Sequence, residues 1–310
     1  MIPSILGFSV LLCRTALTMA WAAYGGPGSF HDGNMIYEND KNQVYLPLFY
    51  VYEFNQTLYV SIRGSASQKD WYTDFNYTER YEYFGDYKLH VHGGFYNATI
   101  NVFTQIKDII ANYPGRIIFT GHSYGASVAT VLGIYCMTHP DTAKNAPRMG
   151  VLAFAPAPAI EKVPEPFHDQ VCSFVYETDI VPTLSIINAY ISFKPLIPKS
   201  GASKAILKIA IKTAVTILKD KTGLANSLYN GIMAASDQIV DDICAYSVDQ
   251  NSSHIGQVVG ITYHLNTVQH KLSEDIVDPQ TLDVLSISQT CADDHNIQHY
   301  SDSLNEKSDD

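Results

Sequence analysis

Arg116 to Thr120 (Arg-Ile-Ile-Phe-Thr) runs directly into Gly121-His122-Ser123-Tyr124-Gly125, and Ala126 to Met137 then continues small and apolar. No other stretch constrains the chain as strongly. A short apolar run of this kind suits a buried strand, and the small apolar segment after it suits a buried helix. The five residues between must therefore make a sharp strand-to-helix turn. A side chain at either flanking position would collide with neighbouring backbone, and two glycines remove that collision while leaving Ser123 Oγ exposed above the sheet. The following helix N-terminus adds positive potential where a developing oxyanion would sit. An ordinary Gly-rich turn is the bland alternative.

The flanking sequence extends this pattern. Leu48 to Phe54 and Leu58 to Ile62 are rich in β-branched and aromatic residues, and Asn55-Gln56-Thr57 between them predicts a hairpin. Phe95 to Asn112 carries apolar residues at helical spacing and stops before Pro114. Gly150 to Ala155, Val171 to Tyr176 and Val258 to His264 read as further strands. Strands alternating with helices predict a mostly parallel, doubly wound α/β sheet. At 310 residues this fits one large domain. Ser185 to Asp249 is Lys-rich, then helical, and reads as an insertion into that domain. Leu282 to Leu304 reads as a closing helix or loop before an acidic tail.

Charge and cysteine usage narrow the function. A formal net charge of −11 argues against a nucleic-acid partner, which needs clustered cations. Five scattered cysteines, without a CxxC pair or metal-ligand spacing, read as small buried apolar residues. Neither metal nor cofactor is implied. Residues 1–20 are signal-like in part: Ile5 to Leu12 is apolar and Thr18-Met19-Ala20 resembles a cleavage site, but Arg14 follows the apolar stretch instead of preceding it. With sequons at Asn55, Asn76, Asn97 and Asn251, these signals lean towards the secretory route or the outside of the cell. An intracellular, peripheral-membrane location is the alternative.

A serine hydroxyl becomes a nucleophile when a histidine takes its proton and a carboxylate orients that histidine. Asp179 lies on the loop after the strand Val171 to Tyr176, where the acid of a Ser–Asp–His order must sit. It could equally cap a turn ahead of Pro182. His254, His264, His270, His295 and His299 all follow Asp179, and periodicity does not separate them.

A resemblance to a known family separates them. Ile62-Arg63-Gly64-Ser65 with Asp70-Trp71 and Asp74, then Val91-His92-Gly93-Gly94-Phe95, Gly121 to Ala129, and Asp179-Ile180-Val181-Pro182 are similar, in order, to motifs of the class 3 lipases. That family includes fungal triacylglycerol lipases and related diacylglycerol lipases. The resemblance implies the α/β-hydrolase fold and hydrolysis of lipid esters through an acyl-enzyme. It places the nucleophile on Ser123, the acid on Asp179, and the oxyanion donors on Ser65 and the Tyr124 backbone N–H. Asp293-Asp294-His295, with Tyr300 five residues on, resembles the family's C-terminal end and makes His295 the base. His264 looks like an earlier, non-catalytic histidine. Tyr124 stands where the family usually has Leu, and Ala126 where it usually has Gly. A non-catalytic lipid-binding relative and an esterase on a cell-wall or polyester substrate are the competing readings.

Lys194 to Lys221 holds seven lysines against one acid, Asp220. Lys204, Lys208 and Lys212 share a helix face opposite a broad apolar one, which predicts docking on an anionic membrane or lipid-droplet surface. A plain surface helix with a solvated Lys face is the alternative.

Overall fold

The computed structural model describes residues 4–5, 8–25, 33–64, 79–185, 190, 204–222, 226–248, 255, 258–265 and 293–305. Two short strands, β1 (Ser4–Ile5) and β2 (Phe8–Ser9), precede helix α1 (Val10–Gly25). Then come β3 (Asn34–Asn39), β4 (Phe49–Phe54), β5 (Thr57–Ile62), and the hairpin β6 (Glu79–Phe84) and β7 (Tyr87–His92). Helix α2 (Gly93–Asn112), β8 (Arg116–His122), α3 (Tyr124–Thr138), β9 (Met149–Phe154) and β10 (Val171–Tyr176) follow. The chain continues through α4 (Lys204–Thr222), α5 (Asn226–Val248), β11 (Ile261–Leu265) and α6 (Ile297–Asn305).

Seven strands form the central sheet in the order β11-β10-β9-β8-β5-β4-β3. The five from β11 to β5 are parallel, and β4 and β3 extend them antiparallel. This is the α/β-hydrolase arrangement read from the sequence. The predicted hairpin forms between β4 and β5, and Asn55 and Gln56 take left-handed φ values of 48° and 56° at its tip. Primed turns of that hand match the strand twist.

Side chains alternate across the sheet, so each strand feeds two cores. Val60, Phe119 and Val151 face α2 and α3 on one side, whereas Tyr59, Ile118 and Leu152 face α1 and α6 on the other. Cys13, Cys136 and Cys172 are buried within these layers, where burial pushes each thiol pKa up. They are thiols held neutral among apolar neighbours.

Helix α1 covers much of the stretch read as signal-like. Cys13, Ala16, Met19 and Ala20 are fully buried against the sheet. Ser61 Oγ donates to the Met19 carbonyl at 2.7 Å, and Thr120 Oγ1 to the Ala16 carbonyl at 3.2 Å. Thr18-Met19-Ala20 is thus the middle of a core helix, and cutting there would uncover one face of the sheet.

The insertion does fold as two helices. Tyr190, Leu207, Ile211, Val240 and Ile243 form their common apolar core. Two of the three lysines on the predicted face pair with α5: Lys204 bonds Asp241, and Lys208 bonds Asp237. Lys219 lies 4.1 Å above the Tyr229 ring. Both pairs lie at the surface, with Lys204 57% and Asp237 75% exposed.

Candidate active site

The carboxyl ends of the parallel strands β8, β9, β10 and β11 lie side by side, the region where open α/β sheets gather their ligands. Ser123 follows β8 at φ 60° and ψ −130°, a conformation that L-residues rarely hold. Its backbone N–H donates to the Phe154 carbonyl of β9 at 2.9 Å, which helps fix the turn. The glycines on either side are sterically required. A Cβ on Gly121 would lie 2.5 Å from the Gly125 carbonyl carbon, and one on Gly125 would lie 2.1 Å from the Ile62 carbonyl oxygen. Ala126, where a second glycine is usual, is fully buried.

Asp179 sits in a tight turn off β10. Its N–H donates to the Tyr176 carbonyl at 2.9 Å, and Glu177 takes the left-handed position at φ 39°. The carboxylate is buried and well supplied with donors. Val181 N–H reaches Oδ1 at 2.9 Å, and Tyr300 Oη donates to Oδ2 at 2.5 Å. Tyr300 is fully buried, and burial first, then the Asp179 charge, holds its phenol well above the ordinary tyrosine pKa. It therefore stays a neutral donor. It also accepts the Tyr176 N–H at 3.0 Å.

His295 joins the two. Its Nε2 lies 2.8 Å from Ser123 Oγ, and its Nδ1 lies 2.9 Å and 3.0 Å from the two Asp179 oxygens. Asp179 accepts the Nδ1 proton, so Nε2 is left as the acceptor for the serine hydroxyl. Of the other four histidines, His299 stacks on Tyr176 and faces Asp293. His264 lies in β11 opposite Val175, its side chain outside what is described. His254 and His270 lie outside the described residues altogether.

Two neighbours complete the surroundings. The His122 ring sits 4.7 Å from that of His295, and Tyr24 Oη of α1 lies 3.0 Å from His122 Nδ1. Burial, with a further push from His295, drives the His122 pKa well below its usual 6.5. It is a neutral ring beside that of His295. Tyr124 opens α3, so its backbone N–H belongs to the first turn, and its buried ring packs 5.8 Å from Phe95. Ser65, Asp70, Trp71 and Asp74 lie outside the described residues. Arg63 and Gly64, leading to Ser65, run past the elbow: a Gly64 Cβ would meet the His122 carbonyl at 2.6 Å. Sequence reasoning missed Tyr24, His122 and Tyr300 as parts of this cluster. A hint was available for Tyr300, in its place five residues after His295. Among the described residues no group of three or more His, Cys, Asp or Glu is arranged to hold a metal ion.

The serine, histidine and carboxylate lie in hydrogen-bonded series at the strand ends, and the comparison with known families agrees with that chemistry. Residues 59–189 match the family model for Lipase (class 3). The resemblance read from the motifs is to that family. A Saccharomyces cerevisiae protein named "Putative lipase LIH1" is 26% identical over 159 residues, 44% of this chain and 44% of its own length. The chain thus spans less than half of that curated relative. Solved structures with a similar fold include Lip2 lipase from Yarrowia lipolytica (18% identity, 56% of this chain, 73% of that one, TM-score 0.44). A lipase from Rhizopus microsporus var. chinensis is another (20% identity, 56% and 67%, TM-score 0.44). At that level of likeness they carry no argument about mechanism, which rests on the geometry above.

Proposed function

We propose that the protein is a carboxylic ester hydrolase whose substrates are acylglycerols or related lipid esters. The observation that carries the reading is the series Ser123 Oγ–His295 Nε2–Asp179, with contacts of 2.8 Å and 2.9 Å. Ser123 Oγ attacks the ester carbonyl carbon while His295 Nε2 takes its proton. Asp179 stabilises the imidazolium so formed, and His295 returns the proton to the departing alcohol. Water then attacks the acyl-enzyme, His295 serving as base and then as acid, and the carboxylic acid leaves. The carbonyl oxygen becomes an oxyanion at the N-terminus of α3. There the Tyr124 N–H is one donor and, by the family resemblance, Ser65 is the second.

The intact series weighs against a non-catalytic lipid binder, because a residue that only bound lipid would not need a base 2.8 Å from Ser123 Oγ. The lipid part of the proposal rests on the family match over 59–189. Docking through Lys204, Lys208 and Lys212 has less behind it, since reversing Lys204 and Lys208 would break their pairs with Asp241 and Asp237 before it reported on a membrane. The test compares hydrolysis of a monomeric short-chain ester with that of emulsified long-chain acylglycerols. Parent protein turns over both, and Ser123→Ala loses both by several orders of magnitude, roughly 10⁶-fold where such triads have been measured. Turnover of the short-chain ester alone would leave an esterase without the lipid substrate. Turnover that survives in Ser123→Ala would remove the mechanism.

A further inference from the structure

Asp179 and His295 belong to two tight turns that face each other, and each has a partner one residue before it. In the first turn the Asp179 N–H returns to the Tyr176 carbonyl, so Glu177 and Thr178 are central. In the second the Asn296 N–H returns to the Asp293 carbonyl at 2.8 Å, so Asp294 and His295 are central. Thr178 Oγ1 donates to Asp294 Oδ2 at 2.6 Å, and the Thr178 backbone N–H donates to the same oxygen at 3.2 Å. The turns are thus joined by two rungs side by side, Thr178–Asp294 and Asp179–His295. Asp294 is buried, at 7% exposure, and a buried carboxylate is costly unless donors meet it.

His295 needs such a holder. After it, Tyr300 anchors α6 beneath Asp179. Before it, the Asp294 bonds tie the turn to the end of β10. Both fastenings land on the segment Tyr176–Asp179, so the imidazole is located relative to its own carboxylate and not to the molecule at large. Nothing in the proton-transfer series requires an acid at 294 or a hydroxyl at 178. An alanine at either position would remove none of the reacting groups, so what 178 and 294 can contribute is placement.

We propose that Thr178 and Asp294 are positioning residues: their bonds set the separation of His295 from Asp179 and hence the aim of Nε2 at Ser123. The inference rests on the ester-hydrolase reading above. A catalytic group misplaced by about 1 Å loses rate on the order of 10²-fold, so the clasp is worth between tenfold and a hundredfold in kcat.

The test uses the full chain and a soluble short-chain ester. Thr178→Val removes the hydroxyl and keeps the shape, Thr178→Ser keeps the hydroxyl, and Asp294→Asn removes the charge that both donors meet. Thr178→Val is expected to lower kcat at least tenfold with KM moved less than twofold. Thr178→Ser should restore the parental kcat. Thr178→Val with Asp294→Asn should be no worse than the more damaging single change, since one clasp cannot be lost twice. If Thr178→Val does not fold, Asp294→Asn measured against Thr178→Ser carries the same comparison. Parental kcat in a folded Thr178→Val or Asp294→Asn would overturn the proposal, as would Thr178→Ser failing alongside Thr178→Val. Ser123→Ala is run beside them: activity surviving there overturns the hydrolase reading and the clasp together, whereas loss there with no effect at 178 and 294 overturns the clasp alone.

Discussion

The elbow stores strain at Ser123, and exchanging its side chain measures how much. At φ 60° and ψ −130° the residue sits where an L-side chain crowds its own backbone, and such positions cost about 1–3 kcal/mol. Ser123→Ala and Ser123→Gly both delete Oγ and its 2.8 Å contact with His295, so that loss cancels between them. Ala keeps the crowding Cβ, while Gly takes the conformation freely but makes the unfolded chain more favourable by about 0.5–1 kcal/mol. The difference should favour Ser123→Gly by about 1 kcal/mol. For a chain of this size that is an upward shift in Tm of about 1.5 °C relative to Ser123→Ala. Calorimetry on the two variants, with denaturant midpoints as a second probe, reads it directly. Ser123→Gly melting below Ser123→Ala would show that the turn is not held under strain.

Two further outcomes follow from neighbours of that turn. Gly125→Ala would set a Cβ 2.1 Å from the Ile62 carbonyl oxygen, so the end of β5 must retreat by about 1 Å to reach ordinary contact; stability should fall by about 1–3 kcal/mol and soluble-ester turnover by tenfold or more, and parental values in melting and assay would contradict this. His122 is held neutral when folded, with its pKa well below 6.5, so the unfolded chain binds the extra proton first. Its stability contribution is therefore present above about pH 6.5 and lost as pH falls towards the folded value. Tm of the parent should drop more steeply between about pH 6.5 and 5 than Tm of His122→Asn, and equal slopes would refute the assignment.

What the sequence made legible was local chemistry. The elbow was readable because two glycines, a serine and a strand-then-helix context all lie within a few residues, and steric need ties them together. Asp179 was readable from its place after an apolar strand. His295 was not readable from periodicity, since five histidines followed Asp179 with nothing local to separate them; the family's C-terminal pattern singled it out. Helix α1 was hard to read because its solvent stripe is narrow: Arg14, Thr15 and Thr18, beside exposed Leu11 and Trp21. The sheet covers one side and α6 another, with Arg14 Nε donating to the Leu304 carbonyl at 2.7 Å. The lysine face is the opposite case. Its pattern was clear, but the acids that answer it, Asp237 and Asp241, lie about thirty residues further along and meet it only after the two helices pair. Tyr300 and His122 likewise acquire their roles through contacts across more than a hundred residues of chain.

The central claim is that His295 activates Ser123 with Asp179 behind it, and labelling by a fluorophosphonate followed by mapping of the adduct tests it most directly. The phosphonyl group should be found on Ser123 in the parent protein. The rate of labelling should fall by orders of magnitude in His295→Ala and in Asp179→Asn, and should stay near the parental value in His264→Ala. An adduct on another serine, or labelling of Ser123 that is unchanged in His295→Ala, would contradict the account.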